Sequence, residues 1–411
     1  MSAQDNARIT ALAGTRAVHN TFSWLHLHEP TIRRIQLESI AIPAPPFHEQ
    51  ARAQYFLQQF TALNLQNPHI DAEGNALAEL NPANSSKETP IVLLSAHLDT
   101  VFPSTTNCTP REEGQKILAP GATDNAAGLA ALFAISAALQ HAAVTPACTI
   151  LFAANVGEEG EGDLRGMRHL FDSASSPYAK RIRAAIALEG AGSAMAVDRA
   201  LGSRRLRVTV TGPGGHSWAD AGRPNAILGL SAALLAIARI PLPRNPRTTL
   251  NVGTITGGTS INSIPSTASA DLDLRSTTAM QLDRFELTLL KTLEAAIPSP
   301  ELHLHAERIG NREPGTLPEA SPLHRTLRAV DRHLAIATQF CIGSTDANLP
   351  LSRHIPALAI GAGGTGGNMH TLDEWYDPTG RDLALRRILL LLLDTCSQIA
   401  GGYDPLATLK P

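Results

Sequence analysis

The sequence predicts an α/β protein: an α/β/α sandwich on a largely parallel sheet, carrying an inserted ferredoxin-like domain. Short apolar runs at 91–96, 149–154, 184–188 and 357–361 alternate with helical patterns, which is the signature of a parallel sheet buried on both faces. Between about 203 and 313 the order changes to β-α-β-β-α-β, the ferredoxin-like arrangement. Pro-rich joins near 213 and 314 suit an insertion. The expected organisation is a discontinuous catalytic domain (1–202 and 314–411) and an inserted lid (203–313).

Taken in order, residues 5–65 read as helices broken by AIPAPP at 41–46. A β-hairpin, DAEGNALAEL, and a polar loop at 82–89 precede the strand at 91–96. Asn125 to Leu139 repeats apolar residues at helical spacing, with Asp124 expected at the N-cap. A strand at 149–154, a helix near 164–171 and a strand at 184–188 extend the alternation. In the insertion, Arg204 to Thr211 alternates polar and apolar residues as a half-exposed strand does. A helix at 225–237, strands at 248–257 and 267–275, a helix at 280–297 and a strand at 302–309 follow. The α/β pattern resumes with a strand at 357–361 and a helix at 381–399, whose run Ile388 to Leu393 is expected to be buried and is far too short to span a bilayer.

Composition narrows the function. With 43% apolar and 17% charged residues, the 411-residue chain reads as an ordered globular protein of more than one domain. A net charge of −3 without a basic cluster gives no support for nucleic-acid or membrane-surface binding. Cys108, Cys148, Cys341 and Cys396 form no CxxC pair, and MSAQDNARITALAG lacks an apolar signal core, so reduced thiols in the cytoplasm are expected.

Chemistry concentrates where the apolar runs end. IVLLSA runs into His97 and Asp99, TILFAANVG into Glu158 and Glu159, AAIAL into Glu189, and PALAIGAGG leads towards His370. Asp124 stands at a helix entrance in GATDNAAG. Singly, each has an ordinary reading as a structural histidine, a solvated turn or a cap. Together, five segments deliver two histidines and several carboxylates to the carboxyl edge of one sheet, where open α/β folds gather ligands. Two divalent cations need a shared bridge and private ligands. Asp124 can bridge, His97 and Glu189 can complete one site, and Glu159 and His370 the other. Asp99, two residues after His97, is placed to accept the second imidazole N–H. Glu158 is left over as a general base. Zinc suits mixed N/O ligands, with cobalt or manganese as alternatives.

SAHLDT, GATDNAAG, GEEGEGDLRG, ALEG, GPGGHS and HTLDEW together resemble the motifs of the M20 metallopeptidases, in order over roughly residues 90–376. STDAN and NVGTITGGTSINSIP resemble the tripeptidase-like branch in particular. The resemblance implies a zinc-exopeptidase-like fold, the ligand roles above, Glu158 as catalytic base and a non-proline cis peptide after Asp124. It implies that His216 stabilises the oxyanion in a partner subunit's site, that Asn262 contacts substrate, and that two lids pair in a homodimer. Arg275 is a candidate for a substrate carboxylate through its planar fork. Asp346 and Asn348 of STDAN are candidates for the pocket wall. Glu189 departs from the tripeptide aminopeptidases, which typically place Asp there, and is more like the carboxypeptidase and deacylase branches. Two substrates follow: short peptides cleaved by an exopeptidase, or N-acyl amino acids cleaved by a deacylase. A non-enzymatic binding protein on this scaffold would have lost Glu158 or a ligand, and none is missing.

Overall fold

A computed structural model describes residues 3–402. The chain divides into two compact units: residues up to Arg199 together with those from Thr316 onward, and Ala200–Gly315.

The first unit is built on a nine-stranded sheet. Its centre is four mutually parallel strands in the order Thr149–Asn155, Ile91–His97, Ile182–Leu188, Ala357–Ile360. Three of the four are buried at every residue, and Ile182–Leu188 at all but one, as near-continuous Val/Ile/Leu/Ala composition requires of strands covered on both faces. The sheet is parallel only there. Ala76–Leu80 joins one side antiparallel to Thr149–Asn155, and Met195–Ala200 joins the other antiparallel to Ala357–Ile360. The hairpin starts earlier than its turn signal suggests, with Gln66–Ile70 as its first strand. Its turn is tied by Asp71, whose Oδ1 accepts the N–H groups of Glu73, Gly74 and Asn75.

Helix Ala126–His141 is buried over fourteen successive residues from Ala126 to Leu139 and packs on the central strands. Such all-round burial fits its Ala/Leu composition: small side chains permit close approach, and no polar face calls for water. The closing helix Arg381–Ala400 buries the whole run Ile388–Leu393. Its Arg387 is fully buried and forks onto Asp331 at 2.7 and 3.2 Å. Among the described residues no helix is long and apolar enough to cross a membrane.

The second unit has four antiparallel strands in the order Thr248–Gly257, Thr267–Ser276, Gly202–Thr211, His303–Arg312. Numbered along the chain this is 2-3-1-4, the ferredoxin-like order. Alternation does the sorting. Leu206, Val208 and Val210 point with Ala270, Leu272 and Leu274 into a core made with helices Ala226–Ile237 and Ala279–Ala295. The intervening Arg207 and Asp271 pair bidentately on the opposite face at 2.8 and 3.0 Å. One edge strand, Thr248–Gly257, is exposed from Asn251 to its end and bears Val252 and Ile255.

Candidate metal centre

Three of the four parallel strands of the first unit deliver side chains at or just beyond their carboxyl ends. His97 is the last residue of its strand, Glu158 and Glu159 follow the strand ending at Asn155, and Glu189 follows the strand ending at Leu188. His370 arrives by the longer path after Ile360, and Asp124 immediately precedes the cap of helix Ala126–His141.

These groups converge as two triads with one common member: His97, Asp124 and Glu189, and Asp124, Glu159 and His370. His97 Nε2 lies 3.1 Å from Asp124 Oδ1 and 3.4 Å from Glu189 Oε1. His370 Nε2 lies 3.0 Å from Asp124 Oδ2 and 3.1 Å from Glu159 Oε1. The two oxygens of Asp124 therefore face opposite ways, one towards each histidine. Glu158 falls outside both triads, with the residue only 5% exposed.

The donor chemistry fits divalent cations. Each imidazole Nε2 faces oxygens from two carboxylates, yet a ring nitrogen holds at most one proton, and carboxylate oxygens offer only lone pairs. His97 Nδ1 lies 3.0 Å from the backbone carbonyl of Asp99, which can only accept. Nδ1 therefore carries a proton, which leaves Nε2 as the atom that would face a cation at the centre. Glu189 Oε2 is buried without a hydrogen-bond partner, a cost that a cation relieves. Electrostatics agree. Hydrogen bonds to Asp124 and Glu159 push His370 up to about 10. Burial pushes Glu189 up to about 7 against the pull of His97. Although burial opposes it, the His370 and His97 imidazoles hold Asp124 well below the usual carboxylate range. Without metal, the cluster draws protons onto its imidazoles, as a site short of positive charge must.

Three sequence expectations are corrected. The helix cap is Asn125, not Asp124: Asn125 Oδ1 accepts the N–H groups of Gly128 and Gly190, and Nδ2 donates to the Leu188 carbonyl. A carboxylate could not make that donation, and Asp124 is left to the centre. A Cβ at Gly128 would lie 2.2 Å from Asn125 Oδ1, so glycine is required there. Asp99 does not receive the His97 N–H on its side chain; Oδ1 is 3.6 Å away. The strand ends at His97, and the Asp99 carboxylate instead accepts the backbone N–H groups of Glu158 and Glu159 at 2.9 and 2.6 Å. It thereby fixes the loop bearing both glutamates. Asn348 is 1% exposed and its Oδ1 accepts the Thr345 N–H, so it ties the STDAN turn rather than lining an open pocket wall. Asp346 is equally buried and accepts from Asn155 Nδ2 at 2.8 Å. The peptide between Asp124 and Asn125 is cis.

Two residues given no role by sequence reasoning stand beside the triads: Asn125, one position after Asp124, and Glu374. Glu374 lies four residues after His370 within HTLDEW, and its fully buried carboxylate meets the backbone of the Asp124 loop.

The other candidates belong to the second unit. His216 is exposed, and its Nδ1 accepts backbone N–H groups from Trp218 at 3.1 Å and Ala219 at 3.3 Å. The neutral ring therefore carries its proton on Nε2, as an outward donor. Asn262 is exposed, and its carbonyl accepts the Ser217 N–H beside the short pairing of Gly215–His216 with Ser263–Ile264. Exposed Trp218 and Ile261 flank these two polar groups in sequence. Arg275 is already engaged, its Nε donating to Asp273 Oδ2 at 2.7 Å two residues earlier on the same face.

Residues 93–393 match peptidase family M20/M25/M40. A probable carboxypeptidase of Aspergillus clavatus is 29% identical over 259 residues, 57% of this chain and 56% of that protein. A probable carboxypeptidase of Aspergillus flavus is 30% identical over 213 residues, 47% of this chain and 48% of that protein. The chain thus spans about half the length of the curated relatives it matches. Among solved structures, a tripeptidase from Staphylococcus aureus superposes with a TM-score of 0.71 at 20% identity, covering 89% of this chain and 98% of that one. A dipeptidase from Saccharomyces cerevisiae gives 0.75 at 13%, covering 92% and 98%. A dinuclear metal binding peptidase from Bacillus subtilis gives 0.65 at 11%, covering 90% and 98%.

Proposed function

The chain belongs to peptidase family M20/M25/M40, and from that premise we propose that it is a dinuclear metal-dependent exopeptidase cleaving amide bonds of short peptides. The observation that carries this reading is the pair of triads sharing Asp124. His97 and Glu189 would hold one ion, Glu159 and His370 the other, and Asp124 both, with zinc favoured and cobalt or manganese able to substitute. Such ions, when bound, supply Lewis-acid polarisation of a carbonyl and a water acidified to near neutral pH.

The chain's own groups supply the rest. Glu158, outside both triads, takes the proton of the attacking water and returns it to the leaving nitrogen. Asp99 holds the backbone of Glu158 and Glu159, so base and ligand stay in register. His216, whose Nε2 is an outward donor, is proposed to stabilise the oxyanion in a partner subunit's site. Asn262 is proposed as a further polar contact to substrate. Arg275 would bind a substrate carboxylate with the part of its fork that Asp273 leaves unused. The four unpaired thiols suit a reducing cytoplasm.

A second reading, N-acyl-amino-acid deacylation by the same groups, is favoured by Glu189. Purified zinc-loaded protein should release a terminal amino acid from di- and tripeptides in a panel that also contains N-acyl amino acids, followed by mass spectrometry. Turnover confined to the acylated compounds would replace the first reading by the second, and turnover of neither would remove both.

The exposed edge Thr248–Gly257, with Val252 and Ile255, and the exposed Leu228 and Leu235 of the adjoining helix are the surface proposed for a homodimer. If His216 serves the partner's site, Glu158→Ala and His216→Ala subunits are each inactive. Mixed under subunit exchange, they should regain activity in hybrids holding one intact site. Exchange verified by mass spectrometry without recovered activity would refute the shared site.

A further inference from the structure

We propose that Glu374 is a positioning residue for Asp124, the ligand shared by both triads, and that it acts through the backbone of the loop Gly121–Asp124. The inference rests on the two-metal reading above and adds a residue to it.

Glu374 is 0% exposed. Its Oε2 accepts the Gly121 N–H at 2.9 Å, and its Oε1 accepts those of Thr123 at 2.7 Å and Asp124 at 2.8 Å. Three donors converging on one buried side chain require an acceptor-only group, and a carboxylate is the acidic side chain that offers no N–H of its own. The stitching continues on either side. Ala119 N–H donates to the Glu374 carbonyl at 3.0 Å, and Thr123 Oγ1 donates to the Trp375 carbonyl at 2.8 Å. Loss of the Glu374 carboxylate would leave buried backbone donors unsatisfied, each at a desolvation cost.

The same turn carries His370. Glu374 N–H donates to the Thr371 carbonyl, and Thr371 N–H to that of Asn368, so His370 and Glu374 belong to one compact segment. His370 Nε2 is in turn 3.0 Å from Asp124 Oδ2. Glu374 thus clamps together the two segments whose side chains meet in the second triad, and sets the backbone position from which Asp124 reaches the first. Groups that orient ligands in this way typically govern about 10- to 100-fold in metal affinity.

In Glu374→Gln the shape is kept, but an NH2 group is turned on at least one backbone N–H. Zinc titrated calorimetrically into chelator-stripped protein should bind about 10- to 100-fold more weakly than to wild type, at a temperature where circular dichroism shows both apoproteins folded. Glu374→Ala should lose at least as much. Asp331→Asn, which weakens the distant buried pair with Arg387, serves as the control: it should lower the apoprotein Tm and leave zinc affinity unchanged. Wild-type zinc affinity in Glu374→Gln would overturn the proposal. So would an affinity loss that Asp331→Asn reproduces at equal Tm loss, since Glu374 would then be a structural anchor only. If wild-type protein itself takes up no zinc, the two-metal reading fails first and the role of Glu374 falls with it.

Discussion

Asp124→Ala should empty both metal positions at once. In the native arrangement Oδ1 and Oδ2 face different histidines, at 3.1 and 3.0 Å, and no other side chain is common to the two triads. Removing it leaves each site with one imidazole and one carboxylate, too few to complete the coordination of a divalent cation. Affinity should fall by at least about 100-fold, more than the loss expected of an orienting neighbour, and activity should vanish with the metal. Glu189→Ala and Glu159→Ala should each weaken one position and spare the other. Inductively coupled plasma mass spectrometry of protein dialysed against buffered zinc measures this directly. An Asp124→Ala protein that keeps one ion per chain at wild-type affinity would show that Asp124 serves a single site.

How far this was legible in the sequence follows from the length and period of each element. The central strands are four to seven residues long and mostly apolar, and three of them end at or are followed within a few residues by the candidate site residues His97, Glu158, Glu159 and Glu189. The second unit was legible for the opposite reason: alternation in Gly202–Thr211 and Thr267–Ser276 shows strands buried on one face. The small sheet made by Arg111–Glu113, Lys116–Leu118, Trp375–Asp377 and Thr365–Gly367 was not legible, because a three-residue strand is too short to show a period.

Individual roles were harder to read than positions. Spacing of two places Asp99 beside His97 only while the chain stays extended, and it stops being so at His97. Adjacent Asp124 and Asn125 are both good caps. Only the tertiary demand for a donor towards Leu188 O selects the amide, and sequence carries no trace of that partner. Arg275 is in sequence a candidate for a substrate carboxylate, and in the structure its Nε is engaged by Asp273 on the same face of the strand. Glu374 was visible as a letter in HTLDEW, but its partners are backbone groups some 250 positions away.

Glu158→Gln should separate chemistry from binding. The side chain lies outside both triads, so two metal ions per chain should remain. Its backbone is fixed by Asp99 whichever side chain it carries, so the neighbouring Glu159 should stay in place. What disappears is a group able to accept a proton from the attacking water and deliver it to the leaving nitrogen; an amide does neither. General acid–base catalysis by a positioned side chain contributes typically about 100- to 10,000-fold, and both proton transfers here pass through one carboxylate. The fall in kcat should reach the upper end of that range, with KM changing far less, because an interaction used only in the transition state has been removed. Glu159→Gln should behave differently, losing metal beside His370 in step with activity, since its Oε1 stands 3.1 Å from His370 Nε2. Metal content and kcat, measured on the same preparations, decide the matter. Should Glu158→Gln shed metal in proportion to its activity while Glu159→Gln stays loaded, the two glutamates would have to exchange roles.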